Sequence, residues 1–234
     1  MDYFKKCKIS AVALIKMAMH ARSGGDIEVM GNLQGHVIGD TFYIMDSYNL
    51  PTEASETRVS STDETTEYMV AHQDYQAKVH SEEGLIGWYH SHPGYGCWLS
   101  KIDIHTTRSQ MIMCDPIVAI VVDPKLSLVT GKVEIGAFRA YSEANYNKRI
   151  AEGAKINKKA EVNFDVAKDE KLLEFGMFGD QYYKLETSIF KTKTDSMMLD
   201  RIWNQYWVQT LASSSTLLNS DKLNHSIMVA ADKL

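Results

Sequence analysis

The sequence predicts an α/β (α+β) fold in which helices flank a mixed, curved sheet and a helical extension follows. Strand-like and helical patterns mix along the chain without a regular βαβ rhythm. Apolar runs at 85–89 and 117–122 are typical of strands buried within a sheet. The 234 residues are 44% hydrophobic and 24% charged, which is typical of a globular protein. The expected parts are a domain at 1–212, insertions near 51–61 and 142–170, and a tail at 213–234.

The composition excludes several classes of protein. The net charge is −5 and there is no long basic run, which argues against nucleic acid as the main partner. No apolar run approaches twenty residues, so we expect no membrane span, and residues 1–10 lack the apolar core of a signal peptide. The three cysteines form no even disulfide framework, which favours a reducing compartment. We therefore expect cytoplasm and nucleus.

The first predicted element is a helix that Ser10 caps and that Gly24 and Gly25 end. Two strands should follow, at 27–33 and 41–48, with turn residues between them. The apolar stripe of the helix is expected to comprise Ile9, Val12, Ile15 and Met19.

Glu28 lies at the front of the first predicted strand, between Ile27 and Val29. A carboxylate there either discourages edge-to-edge strand pairing or faces a functional cleft. From its position alone, the first role is favoured.

A loop and a helix are predicted next. Residues 51–61 are rich in Thr, Ser and Glu without periodicity, which predicts a mobile loop containing Glu56 and Arg58. Residues 62–80 should form a helix, because acidic residues occupy its first turns. Its buried stripe is expected to comprise Tyr68, Ala71, Tyr75 and Val79.

The stretch 87–103, GWYHSHPGYGCWLSKID, carries the densest set of chemical groups. His90 and His92 are two residues apart at the end of a predicted strand, so both can point to one face. Ser100 and Asp103 have the spacing of a helix cap, which would put Asp103 in the first helical turn. Two imidazoles and one carboxylate complete the protein ligands of a catalytic zinc site.

The spacing of these residues is also compatible with simpler roles. His-x-His is common in polar turns, and Ser-x-x-Asp also occurs as a simple helix cap. Cys97 would close the metal site as a fourth ligand, or would need an activating base as a nucleophile; a packed or surface thiol is favoured. His105 is a poor ligand because two positions along a helix turn it away from Asp103.

The second half of the chain continues the alternation of predicted strands and helices. The helix after Ser100 should end near Cys114, and strands are expected at 117–122, 131–138 and 181–190, with a polar linker at 141–169. Asp123 and Pro124 are predicted to turn the chain. A further helix presents an aromatic stripe that is more typical of a core or a partner-helix surface than of a cofactor site: Leu199, Ile202, Trp203, Tyr206 and Trp207.

Together, Glu28 in Glu-Val-Met-Gly, His90-Ser91-His92-Pro93 after 62 residues, and then Ser100 and Asp103 resemble the JAMM (MPN+) metalloprotease motif. The resemblance runs from about residue 9 to about residue 211. It implies an MPN-type fold and a Zn²⁺ ion held by His90, His92 and Asp103. It also implies that Glu28 is the general base and Ser100 the oxyanion-stabilising serine, which reverses the preference for an edge role of Glu28.

Within this family the likeness is strongest to the signalosome branch. The residues that carry it are Met45 to Ser47, Glu56 to Val59, Gly87 to Ser100, Tyr182, Tyr183, Asp200 and Trp203 to Trp207. That likeness implies a catalytic subunit that removes the ubiquitin-like modifier NEDD8 from cullins. The implied partners are other signalosome subunits, including an MPN-domain partner and a helical bundle. The alternatives are a proteasome-lid-type deubiquitinase and a non-catalytic MPN scaffold.

The resemblance also implies that a loop regulates access to the cleft. Three residues of the chain differ from the usual family sequence. In look-alike proteins the loop bearing Glu56 and Arg58 covers the cleft outside the complex, so Arg58 is expected to pair with Asp103 and Glu56 to compete for the metal; an ordinary solvated loop is the alternative. Asn32, Gln34 and Lys101 depart from the usual family residues. None is a ligand, so these changes bear on assembly contacts.

Overall fold

The structure is a computed structural model and describes seven segments of the chain. They are 3–51, 53–54, 59–60, 63–78, 83–153, 178–197 and 200–201. The chain divides into two compact units, Met1–Phe190 and Lys191–Leu234. The mixture of helices and strands confirms the predicted fold class, whereas the predicted domain limits at 212 and 213 stay a prediction.

The described elements of the first unit alternate between strands and helices. In chain order they are β1 (Lys6–Ser10), α1 (Ala11–Ser23), β2 (Met30–Ile38), β3 (Thr41–Asn49), β4 (Glu53–Ala54), β5 (Val59–Ser60), α2 (Asp63–Lys78), β6 (Gly84–Ser91), α3 (Lys101–Cys114), β7 (Val118–Asp123), α4 (Pro124–Thr130), β8 (Glu134–Ala140), α5 (Glu143–Ala151) and β9 (Tyr182–Phe190). None of the helices described is long and apolar enough to cross a membrane.

Seven of these strands form one closed sheet in the order β1-β3-β2-β6-β7-β8-β9, and β1 pairs with β9 to complete the barrel. The pairs β1–β3, β1–β9 and β6–β7 are parallel, and the other neighbours are antiparallel. The sheet is therefore mixed and curved, as predicted. β4 and β5 form a separate two-stranded ribbon within the predicted loop at 51–61.

β7 lies between two hydrophobic clusters, which explains its unbroken apolar sequence. Val118, Ile120 and Val122 belong to the cluster that contains the buried face of α1. Ala119 and Val121 belong to the second cluster, which contains Ile104 of α3. Because alternate residues of a strand point to opposite faces, both faces of β7 are buried, as the sequence predicts.

The ends of α1 were predicted correctly but its buried face was not. Ser10 caps the helix by accepting the Ala13 N–H, and Gly24 lies at its C-cap. The buried residues are Ala13, Met17 and Ala21, whereas Met19 is 68% exposed. Small alanine side chains let the helix approach the sheet closely, so the contact face does not follow the largest apolar residues.

The predicted extent of α2 is confirmed within a few residues, but its predicted stripe is wrong. Tyr68 and Tyr75 are 43% and 60% exposed, and Ala71 is also exposed. Among the side chains of this helix that the structure describes, the buried one is Thr65. Val79 lies outside the described residues.

Several elements differ from the expectation because tertiary pairing overrides local pattern. β1 was not predicted: its residues Cys7 and Ile9 are buried through pairing with β3 and β9. β2 begins at Met30, so Glu28 precedes the strand. Helices α4 and α5 occupy the places of a predicted turn and of the start of a predicted linker.

The structure also shows where two of the residues that depart from the family pattern lie. Asn32 is buried in β2 and donates a hydrogen bond to the Tyr48 hydroxyl at 2.9 Å. Lys101 is the exposed first residue of α3. In the second unit, residues 193–197 are helical. The whole predicted aromatic stripe lies outside the described residues: Leu199, Ile202, Trp203, Tyr206 and Trp207.

Candidate metal centre

The site lies where β6 ends and α3 begins. His90 is in β6, His92 follows the strand directly, and Asp103 lies in the first turn of α3. The Trp88 ring stacks on the His90 ring, with centroids 4.7 Å apart and an interplanar angle of 14°. Trp88 belongs to the cluster packed on α3, so the histidine also points to that face of the sheet.

The three predicted ligand residues converge. His90 Nε2 and His92 Nε2 are 2.9 Å apart, and Asp103 Oδ2 is 3.4 Å from the first and 3.9 Å from the second. Ligand atoms about 2.0–2.1 Å from a tetrahedral zinc lie about 3.3–3.4 Å from one another, which matches these separations on average. Within the described part of the chain, this is the one group of His, Cys, Asp and Glu side chains with such convergence.

The environment of the imidazoles is compatible with a cation between them. His92 Nδ1 lies 2.9 Å from the Gly96 carbonyl oxygen, and a carbonyl can only accept. His92 Nδ1 therefore carries the proton and Nε2 directs its lone pair at His90. Two buried imidazole nitrogens this close need a proton or a cation between them, so the residues present fit a zinc ion.

Ser100 and Asp103 form the capping box that the spacing predicts. The Asp103 N–H donates to Ser100 Oγ, while the Ser100 N–H and hydroxyl both donate to Asp103 Oδ2, at 2.8 and 2.7 Å. Burial would raise the pKa of the Asp103 carboxyl. The neighbouring imidazoles of His90 and His92, with the hydrogen bond from Ser100, outweigh burial and hold that pKa well below its usual range. The carboxylate is therefore ionised.

Glu28 reaches the site through strand pairing. Met30 pairs with His90, and the Ser91 N–H donates to the Val29 carbonyl at 2.9 Å. Continuing this antiparallel register by one residue sets Glu28 opposite His92. Glu28 is 3% exposed, so its carboxylate does not serve to discourage edge-to-edge strand pairing, which would require it to face solvent.

Tyr95 is a residue of the site that sequence reasoning missed. Its hydroxyl donates a hydrogen bond to Glu28 Oε1, and its ring lies 4.5 Å from the His92 ring between centroids. Burial first, and then the Glu28 carboxylate, raise the pKa of the Tyr95 hydroxyl well above its usual value. The hydroxyl therefore keeps its proton. The Gly-Tyr-Gly sequence after Pro93 was the available signal.

Cys97 and His105 do not join the three ligands. Cys97 Sγ faces the Glu134 carbonyl oxygen at 3.6 Å, and burial raises the pKa of its thiol to about 12. It is a packed thiol, as favoured from the sequence. His105 is an exposed residue of α3. Glu56 and Arg58 lie outside the described residues, so the proposed gating by their loop stays a prediction.

Comparisons with known proteins agree with this geometry. Residues 2–116 match a family model described as "JAB1/Mov34/MPN/PAD-1 ubiquitin protease". Over 232 residues, 99% of the chain, it is 46% identical to COP9 signalosome complex subunit 5b of Arabidopsis thaliana and 45% identical to subunit 5 of Dictyostelium discoideum. It is 44% identical over the same length to subunit 5 of Drosophila melanogaster.

The chain belongs to the COP9 signalosome subunit 5 family. It covers 62%, 67% and 68% of the length of these three relatives. Membership confirms the resemblance to JAMM proteins that the sequence motif indicates. In the structure, His90, His92 and Asp103 form a group that could hold a metal ion.

Proposed function

We propose that this chain is a zinc-dependent isopeptidase of the JAMM type. The observation that carries the proposal is the buried convergence of His90 Nε2, His92 Nε2 and Asp103 Oδ2. Tyr95 packs on His92 and hydrogen-bonds the buried Glu28 carboxylate. A scaffold without activity needs none of this arrangement, and all five motif residues are present: Glu28, His90, His92, Ser100 and Asp103.

Each residue has a distinct task in the proposed reaction. His90, His92 and Asp103 would hold the Zn²⁺ ion, which when bound supplies a positive charge that lowers the pKa of water to roughly 7. Glu28 accepts a proton from the attacking water and delivers it to the leaving amine of the substrate lysine. The strand register that sets Glu28 opposite His92 supports this role.

Ser100 serves both the carboxylate and the reaction. Its hydroxyl donates to Asp103 Oδ2 at 2.7 Å, which orients the ligand atom. When the isopeptide carbonyl becomes tetrahedral, the same hydroxyl can turn toward the developing oxyanion. One such donor typically lowers the barrier by about 2.7–4 kcal/mol.

The substrate and the assembly are inferred from the relatives. They are named as subunits of the COP9 signalosome complex. We propose that the chain removes NEDD8 from cullins within such a complex, together with an MPN-domain partner and a helical bundle of other subunits, in cytoplasm and nucleus. The description "ubiquitin protease" of the matching family model supports a second candidate, the cleavage of ubiquitin conjugates.

Zinc content and conjugate cleavage test the proposal together. The full chain, alone and assembled with signalosome subunits, is incubated with a NEDD8–cullin conjugate and separately with ubiquitin chains. Glu28→Gln should keep stoichiometric zinc and lose cleavage, because it removes the proton acceptor and no ligand. Asp103→Asn should lose both zinc and cleavage.

Each contrary result has a separate meaning. Wild-type protein without stoichiometric zinc would contradict the metal site. Full activity of Glu28→Gln would contradict the assigned base. Preference for ubiquitin chains over the NEDD8 conjugate would select the second candidate.

A further inference from the structure

The loop that follows His92 makes hydrogen bonds to two proposed functional groups, the Glu28 carboxylate and the His92 imidazole. The Tyr95 hydroxyl donates a hydrogen bond to Glu28 Oε1, and the Gly96 carbonyl oxygen accepts one from His92 Nδ1 at 2.9 Å. These adjacent loop residues contact the proposed base and one proposed ligand. Displacement of the loop would therefore disturb both groups together.

A buried carboxylate fixes this loop. Asp123, at the end of β7, is 0% exposed and accepts hydrogen bonds from the Gly94 N–H at 3.0 Å and the Gly96 N–H at 2.8 Å. The two bonds bracket Tyr95. Both glycines have positive φ, 95° and 83°, a conformation that other residues adopt only with strain.

Asp123 also caps α4, which is its simplest structural role. Its Oδ1 accepts from the N–H groups of Lys125 and Leu126, at 3.0 and 2.9 Å. A cap alone does not account for Oδ2, which receives the Gly96 N–H. Among the described residues no ion pair neutralises this carboxylate, so backbone N–H groups stabilise its buried charge.

Trp98 closes the loop from the other side. Its indole Nε1 donates to the Tyr95 carbonyl oxygen at 2.8 Å, and its ring lies edge-on to His92 with centroids 5.3 Å apart. Both aromatic residues are almost fully buried. The Tyr95 backbone is therefore held by bonds on either side, and its side chain has a defined direction.

We propose that Tyr95 and Asp123 are positioning residues of the metal centre: Tyr95 orients Glu28, and Asp123 fixes the loop that orients both Glu28 and His92. This inference rests on the proposed function. It means that the Glu28 carboxylate is oriented by the Tyr95 hydroxyl, which comes from a distant part of the chain. It also means that the His92 imidazole is oriented indirectly by Asp123, which binds the Gly96 N–H, while the Gly96 carbonyl contacts His92.

Tyr95→Phe tests the first half, since it keeps the ring and removes the hydroxyl. On a NEDD8–cullin conjugate, kcat should fall about 10- to 100-fold, as is usual when a supporting hydrogen bond is lost. KM and the zinc dissociation constant, measured by competition with a chelator, should stay within about 2-fold, because no ligand or binding surface changes. A wild-type kcat for Tyr95→Phe would overturn this half.

Asp123→Asn tests the second half and keeps the capacity to cap α4, because Asn and Asp cap helices equally well. It removes one of the two acceptor oxygens that the loop needs. Zinc affinity and kcat should both fall about 10- to 100-fold. Ser142→Ala, which removes the N-cap of α5, is the matched control for loss of stability and should change neither quantity. Wild-type zinc affinity and kcat in folded Asp123→Asn would overturn this half.

The two levels of inference fail in different ways. If wild-type protein binds no zinc, or if Glu28→Gln is fully active, the proposed function fails. If both tests of that function succeed and the two positioning variants match wild type, the further inference alone is wrong. Where Asp123→Asn lowers the yield of folded protein, Tyr95→Phe still decides the first half, and the zinc affinity of the folded Asp123→Asn fraction decides the second.

Discussion

At the scale of single residues, Ser100 connects helix capping to chemistry. Its Oγ accepts the Asp103 N–H, which starts α3, and its hydroxyl proton goes to the Asp103 oxygen that faces the histidines. The residue that begins the helix therefore also sets the direction of a ligand atom. A substitution here should affect stability and catalysis through separate contacts.

Ser100→Ala should lower the free energy of unfolding by about 0.5–2 kcal/mol, because it removes an N-cap. It should also lower kcat about 10²- to 10³-fold, because it removes the proposed oxyanion donor. Ser10→Ala is the control, since Ser10 is another buried N-cap, on α1. It should show the first effect without the second. Equal kinetics in the two variants would contradict a catalytic role for Ser100.

The three cysteines should differ in reactivity according to burial. Burial raises the pKa of both Cys7 and Cys97 to about 12, whereas Cys114 is exposed. Since the thiolate is the nucleophile, iodoacetamide at about pH 8 should label Cys114 in the native protein and spare the other two. Peptide mass spectrometry measures this. Labelling of Cys97 as fast as Cys114 would show that it is an accessible thiol.

The sequence predicted the proposed ligands because these residues lie close together along the chain. It missed the positioning residues Tyr95 and Asp123 because their contacts join distant parts of the chain. His90, His92 and Asp103 lie within 14 residues of one another and share a strand-to-helix connection. Tyr95 and Glu28 are 67 residues apart. Likewise, Asp123 before a proline predicts a turn, and only the tertiary pairing of β6 with β7 brings it to Gly96.

At the scale of elements, helix and strand limits followed the sequence better than their buried faces did. Caps such as Ser10 and Ser100 are local signals, and both lie where predicted. The contact face of a helix depends on how closely it approaches the sheet, which no single helix encodes. α1 illustrates this, because it buries alanines and exposes Met19.

Ala21→Leu should therefore destabilise the protein by about 1–3 kcal/mol, because the added side chain overpacks a buried contact. Met19→Ala, on the exposed face of the same helix, should change stability by less than about 0.5 kcal/mol. Urea unfolding measures both. The reverse order of effects would indicate that α1 packs through the face with Met19, as its periodicity suggested.

At the scale of the whole molecule, the proposed metal centre joins elements that the sheet alone does not connect. His90 lies in β6 and His92 directly follows that strand. Asp103 belongs to α3, which crosses over to the parallel strand β7. Glu28 arrives from the segment before β2, the other neighbour of β6. A bound ion would thus link the crossover helix to the sheet, so metal binding and folding should be coupled.

Removal of zinc should for that reason lower the stability of the entire first unit. A ligand that binds only the folded state at about 100 times its dissociation constant stabilises it by about 2.7 kcal/mol, and this contribution should disappear with a chelator. Thermal unfolding with and without chelator measures the shift. Glu28→Gln should retain the full shift because Glu28 is not a ligand, whereas Asp103→Asn should unfold at one temperature in both conditions. A chelator-independent midpoint for wild type would mean that the cluster of His90, His92 and Asp103 holds no ion, since binding to the folded state must raise its stability.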